Sequence, residues 1–271
     1  MAACSIMNLG SCIVQFLFNF IFDLLNSAAG PFLSLINKFM QDPVSISVFA
    51  DVWGIVVYIL SMFYGLFLVW IGLKFIMSGE NPEQREKAKA DLKSIIIMMV
   101  LVQGSYYFYE LILAVSSALT KTVLNMVGTS FFNISMESVS NFAFDLIFGF
   151  IYILHLIVVL VILLLRYIAV SSGVVFFAIG ISFYFFSPLH HYGKLILNTL
   201  GVLIFLPFAY SIIFLAGSRI VQLDSVRNYK TLIMVGTMNL IIVFTFLLLL
   251  FVVVKAASKA KTVINMSKAV V

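Results

Sequence analysis

The stretch Trp53–Met77, WGIVVYILSMFYGLFLVWIGLKFIM, is followed by a charged connection at Glu80–Lys87, ENPEQREK. A second apolar run, Ser94–Leu119, SIIIMMVLVQGSYYFYELILAVSSAL, comes next. Each arm has roughly 24 residues, enough at about 1.5 Å rise per residue to cross a hydrocarbon core of about 30 Å. The pair predicts a membrane-spanning helical hairpin over 53–119. Gly79 is placed to end the first helix and Asn81 to cap the next, with Pro82 at its first position and Gln84 placed to complete a capping box. Glu83 and Lys87 are spaced to pair one turn apart. Topology follows Lys and Arg rather than net charge, so Arg85, Lys87, Lys89 and Lys93 put the 78–93 loop in the cytoplasm. The same four cations are candidate contacts for a cytoplasmic partner, beside their simpler role in setting topology.

Composition extends this reading to the whole chain. Hydrophobic residues make up 63% of the 271 and charged residues 10%, against roughly 45 to 50% and 25% in soluble domains. Repeated apolar runs of about 20 residues predict an all-α fold, a polytopic transmembrane helical bundle with six or seven spans. The expected organisation is a single integral-membrane domain, 1–271. Its parts are an amphipathic or spanning segment at 1–40, the hairpin at 53–119, membrane helices at 142–254 and a basic tail at 255–271. The formal charge of +5 is explained by connections and tail facing anionic lipid, so it argues only weakly for nucleic acid. Cys4 and Cys12 form no CxxC and have no His at ligand spacing, which predicts free thiols and neither zinc nor a disulfide framework.

Near the start, Gln15, Asn19, Asp23 and Asn26 fall on one helical stripe and Phe16, Phe20 and Leu24 on another. The helix either lies in the interface or turns its polar stripe into the bundle. No Lys or Arg precedes it, so a cleaved leader ending at Ser27-Ala28-Ala29 is not expected. Gly30-Pro31 is expected to break or kink it. In the first hairpin arm Gly54, Ser61, Gly65 and Gly72 form a small-residue stripe where another helix can approach. The second arm carries Gln103 near mid-membrane, then an aromatic group ending near Glu110.

From Phe142 to Ser187 the chain is apolar for about twice the length of one span. Two spans joined at Leu165-Arg166-Tyr167 are expected, with Arg166 reaching the headgroups; an Arg166 at depth would have to be paired or face water. His155 reads as a packing residue, with a relay or ligand role as the alternative. Pro207, inside the span Leu195–Gly217, is expected to kink the helix or loosen its hydrogen-bond ladder. With six or seven spans in alternation, the rule that favours cations inside cannot be met both near Arg219 and in the tail containing Lys255, Lys259, Lys261 and Lys268.

No phosphate-binding loop, HExxH, GxSxG or dinucleotide fingerprint occurs, so no enzyme and no cofactor are expected. Two regions carry a resemblance instead. One is Gly72–Gly79 with Asn81-Pro82-Glu83 and the basic turn; the other runs from Leu165-Arg166-Tyr167 through Phe186–Leu189 and Lys194 to Leu206-Pro207-Phe208-Ala209 and Phe214–Gly217. Together they resemble the TrbL-like polytopic inner-membrane subunits of type IV secretion and conjugation machines, a family that includes the membrane protein of the archaeal DNA-import system. The hairpin is also similar to the two-span pilin-type subunits of those machines. His190, His191 and Tyr192 stand where a tryptophan would be looked for.

The resemblance implies a cell-membrane channel or assembly-platform subunit moving DNA, protein or pilin. Its partners would be the lipid bilayer, other secretion-machine subunits including a cytoplasmic ATPase and pilin, single-stranded DNA in transit, and further copies of the chain in a homo-oligomer. The alternative is a stand-alone small-solute permease or ion channel using Asp23, Gln103, Glu110, His155 and Arg166 as intramembrane polar or pore residues. A structural pilin-biogenesis protein without a pore is a third.

Overall fold

The computed structural model describes residues 9–78, 81–133, 142–186, 189–223 and 229–269. They form seven α-helices: α1 (Leu9–Gln41), α2 (Ala50–Met77), α3 (Pro82–Gln103), α4 (Ser105–Leu124), α5 (Phe142–Phe185), α6 (His190–Val221) and α7 (Lys230–Ala269), with short 3-10 turns at Ser47–Phe49 and Thr129–Phe132. Five stretches are long and apolar enough to cross a membrane, and α3 with α4 makes a sixth if the bent pair is one span. The fold is the expected all-α polytopic bundle, at six spans with that pair counted once. Gly79, Pro188 and Arg227 lie outside the described residues, as do the side chains of Lys259, Lys261 and Lys268.

Three helices depart from expectation. Phe142–Phe185 is one helix of 44 residues rather than two spans. The sequence around Leu165-Arg166-Tyr167 has neither Pro nor Gly, and Arg166 finds buried partners, so nothing there ends the helix. The second hairpin arm, expected as one span, is bent by 66° between α3 and α4. Gly104 carries the bend: it caps α3 with φ −86° and ψ 0°, and the Ser105 hydroxyl turns back to donate to the Val102 carbonyl at 2.7 Å. A Gly-Ser pair whose hydroxyl competes for helical carbonyls is a recognised cause of a kink. Finally, α1 continues through Gly30-Pro31 as one helix, so the break that was one of the two expected outcomes is absent.

The chain divides into two compact units. One comprises 43–116 and 166–206. Its first apolar cluster joins Val57 and Ile71 of α2, Ile95, Met98 and Val102 of α3, and Ala178 and Ile181 of α5. A second joins Val44 and Ile46, Tyr109 and Leu113 of α4, Val170 and Val174 of α5, and Leu200 and Ile204 of α6. The loop ahead of α2 is pinned to α5: the Ser45 N–H donates to the Tyr167 hydroxyl oxygen at 3.2 Å, and the Ser171 hydroxyl donates to the Ser45 carbonyl at 2.7 Å. Trp53 Nε1 donates to Ser105 Oγ at 2.9 Å, tying the start of α2 to the bend after α3. Gly173 allows α5 to approach α4 and α6 closely; a Cβ there would overlap the Tyr109 hydroxyl and Leu200.

The other unit comprises 1–42, 117–165 and 207–271. In it α1 buries Phe22, Leu25, Ala29, Ile36 and Met40, a face that sequence spacing did not single out; Phe16, Phe20 and Leu24 are exposed. The Ser117 hydroxyl closes on the Gln41 carbonyl. Tyr210 of α6 shares a buried hydrogen bond with Thr245 of α7, and the Phe132 and Phe214 rings meet edge to face at 5.4 Å.

Candidate functional site

Two places concentrate polar side chains. The first is the α2–α3 turn. Asn81 caps α3 by accepting the Glu83 N–H at 3.1 Å, with Pro82 at the first helical position. Lys87 Nζ pairs with Glu83 Oε1 at 2.8 Å, as the spacing predicts. Lys74, in the last turn of α2, pairs across the hairpin with Asp91 at 3.1 Å. Arg85 stacks over the Phe75 ring at 5.3 Å, so its apolar plane is occupied and its fork stands at the surface. Lys89 and Lys93 are exposed. A shallow cleft lined by Lys74, Ser78, Gln84, Lys87 and Asp91 opens between the two helices. All four predicted partner contacts thus stand on one short exposed segment at the start of α3.

The second place is the middle of α5. Arg166 is buried, with 6% of its surface exposed. Its Nε donates to the Leu203 carbonyl at 2.9 Å and an Nη to the Ile204 carbonyl at 3.0 Å. This corrects the expectation of an arginine reaching the headgroups, and the reason is local. Pro207 has no N–H, so the carbonyl four residues earlier, at Leu203, lacks its helical donor. The guanidinium supplies one. Ser116 of α4 donates to the same Ile204 carbonyl at 2.8 Å, and Tyr109 donates to the Val170 carbonyl one turn along α5 at 2.6 Å.

The five residues read as intramembrane polar groups differ in their surroundings. Asp23, Gln103 and Glu110 are exposed. His155 is half-buried with Nδ1 2.8 Å from the Ile151 carbonyl of its own helix. Of the five, only Arg166 is buried. Sequence reasoning missed Ser116, Tyr109, Tyr167 and Ser171. A signal for the first two existed: Ser105, Tyr109, Leu113, Ser116 and Thr120 recur in steps of four and three, and all are buried. Among the described residues no group of three or more His, Cys, Asp or Glu could hold a metal ion.

Long apolar helices joined by charged or polar turns, with a buried arginine supplied by backbone carbonyls, define a multi-pass helical membrane protein. Residues 45–103, covering the end of the loop ahead of α2, α2 itself, the turn and all of α3, match the family described as type IV secretion system pilin. Through that hairpin, less than a quarter of the chain, the protein is related to type IV secretion systems. Comparison with curated proteins and with solved structures gave no match.

Proposed function

We propose that the protein is a membrane-embedded channel or assembly-platform subunit of a type IV secretion-type machine, of the TrbL-like kind, serving the transfer of DNA, protein or pilin across the cell membrane. The observation that carries this reading is the pilin-type match over a hairpin that is followed here by three further long helices, α5 to α7. A two-span subunit would need none of them. The chain performs no catalysis of its own, and a separate cytoplasmic ATPase drives the machine. Arg85, Lys87, Lys89 and Lys93 are proposed to meet that partner, with further copies of the chain and other subunits completing the assembly.

Deleting the gene and scoring DNA transfer and pilus formation separately tests the reading. Loss of transfer is expected. Unchanged transfer and unchanged pili would sink the proposal, and lost pili with intact transfer would favour a pilus-building role without a pore.

Sidedness follows from counting α5 as one span and α3 with α4 as one. The 78–93 loop and both termini then lie in the cytoplasm, so the lysines after α7 obey the positive-inside rule while Arg219 and Lys230 flank an outside connection. After Cys4 and Cys12 are changed to Ser, single cysteines at Glu86, Met126, Tyr192 and Leu223 test this. A reagent that cannot cross the membrane should label Met126→Cys and Leu223→Cys in intact cells and spare the other two. Labelling of Tyr192→Cys would overturn the count.

A further inference from the structure

We infer that Arg166 is the positioning residue for the proline break in α6: its guanidinium stands in for the backbone donor that Pro207 lacks, and the two residues work as a pair. The helix is continuous from His190 to Val221 although Pro207 lies inside it. In a lipid environment a carbonyl without a donor must find another partner, because no water is at hand to supply one. Leu203 O is that carbonyl, and Arg166 Nε lies 2.9 Å from it. The adjacent Ile204 O receives both Arg166 Nη and the Ser116 hydroxyl.

A guanidinium suits this task for geometric reasons. Its donors form a planar fork of fixed spacing, which can address two successive carbonyls at once, whereas an ammonium is a single point. The position on α5 is equally specific. Tyr152, Leu156, Val159, Leu163, Arg166 and Val170 follow one another in steps of four and three and are all buried, so Arg166 occupies a place in the packing seam itself. A cation at such a place is costly unless its donors are used. Arg166 and Pro207 therefore explain each other: the proline frees the acceptor, and the acceptor makes the buried arginine tolerable.

The pairing predicts a strong interaction between two substitutions. Hydrogen–deuterium exchange of the full chain in lipid nanodiscs, read on peptides covering 200–212, is the measurement. In Arg166→Met the Leu203 carbonyl is left without a donor, the helix opens more readily there, and exchange in this window should rise about tenfold. Pro207→Ala restores the missing N–H and should leave exchange close to that of the unaltered chain. In the double variant the helix supplies its own donor to Leu203 O, and exchange should fall back to within about twofold of the Pro207→Ala chain. Arg166→Lys, which keeps the charge and reaches one carbonyl, should fall between.

If Arg166→Met raises exchange equally with and without Pro207, or raises it in neither background, the pairing is wrong. Should Arg166→Met fail to accumulate in the membrane, recovery of the double variant supports the pairing, and failure of both overturns it.

Discussion

At the α2–α3 turn most polar contacts join residues two to four positions apart and stand in solvent, as Asn81 with Glu83 and Glu83 with Lys87 do. In the middle of α5 they join Arg166 to residues 37 and 38 positions away and are enclosed by helices. The first kind of contact shapes a segment that would look much the same in isolation. The second exists only when distant helices have already met. Substitutions at the turn should therefore disturb a surface, and substitutions around Arg166 should disturb the assembly of the bundle.

Graded changes in SDS-unfolding midpoint can sharpen or break that contrast. The largest loss is expected from Gly173→Val, about 3 kcal/mol, because the added atoms would overlap Tyr109 and Leu200 in a packed interior. A change below 1 kcal/mol would mean the close approach of α4, α5 and α6 is dispensable. Tyr109→Phe removes one interhelical donor and should cost about 1 kcal/mol. At the turn, Asn81→Ala deletes an exposed cap and should cost about 0.7 kcal/mol, seen as faster exchange at the first amides of α3 and not elsewhere. Smallest is Glu83→Gln, about 0.3 kcal/mol, an effect that salt should erase. If the two turn variants outweighed the two interior ones, the contrast would be inverted.

The same contrast explains what could be read from the chain. Asn81, Pro82, Glu83 and Lys87 act through near neighbours, so the cap, the proline and the ion pair were legible one residue at a time. The apolar runs announced membrane helices because bilayer thickness sets a length that any sequence must meet. What stayed hidden was which face of each helix points inward. Helix α5 is apolar nearly all round, so the seam that includes Arg166 leaves no contrast between faces. Its periodicity emerges only from burial. Reading Arg166 as a helix end followed from treating its charge alone; the partner was encoded in Pro207, 41 positions later, through an absent N–H that no motif records.

The small-residue stripe of α2 shows the reverse case. Gly54, Gly65 and Gly72 were legible as a docking stripe, yet a Cβ at any of them would meet nothing within 4 Å, and only Val57 and Ile71 of that helix are buried. Pattern identified a capacity, and nothing within the described chain uses it.

The length of α5 has a last consequence. Its apolar stretch covers 40 residues, about 60 Å of helix, while the hydrocarbon it crosses is only about 30 Å deep. Taken alone, such a rod has no preferred height, since sliding it up or down exchanges one greasy turn for another. Helix α6 does know its height, because Lys194 and Arg219 bracket it about 37 Å apart. By gripping α6 near its centre, Arg166 lends α5 a vertical register that its own side chains do not encode.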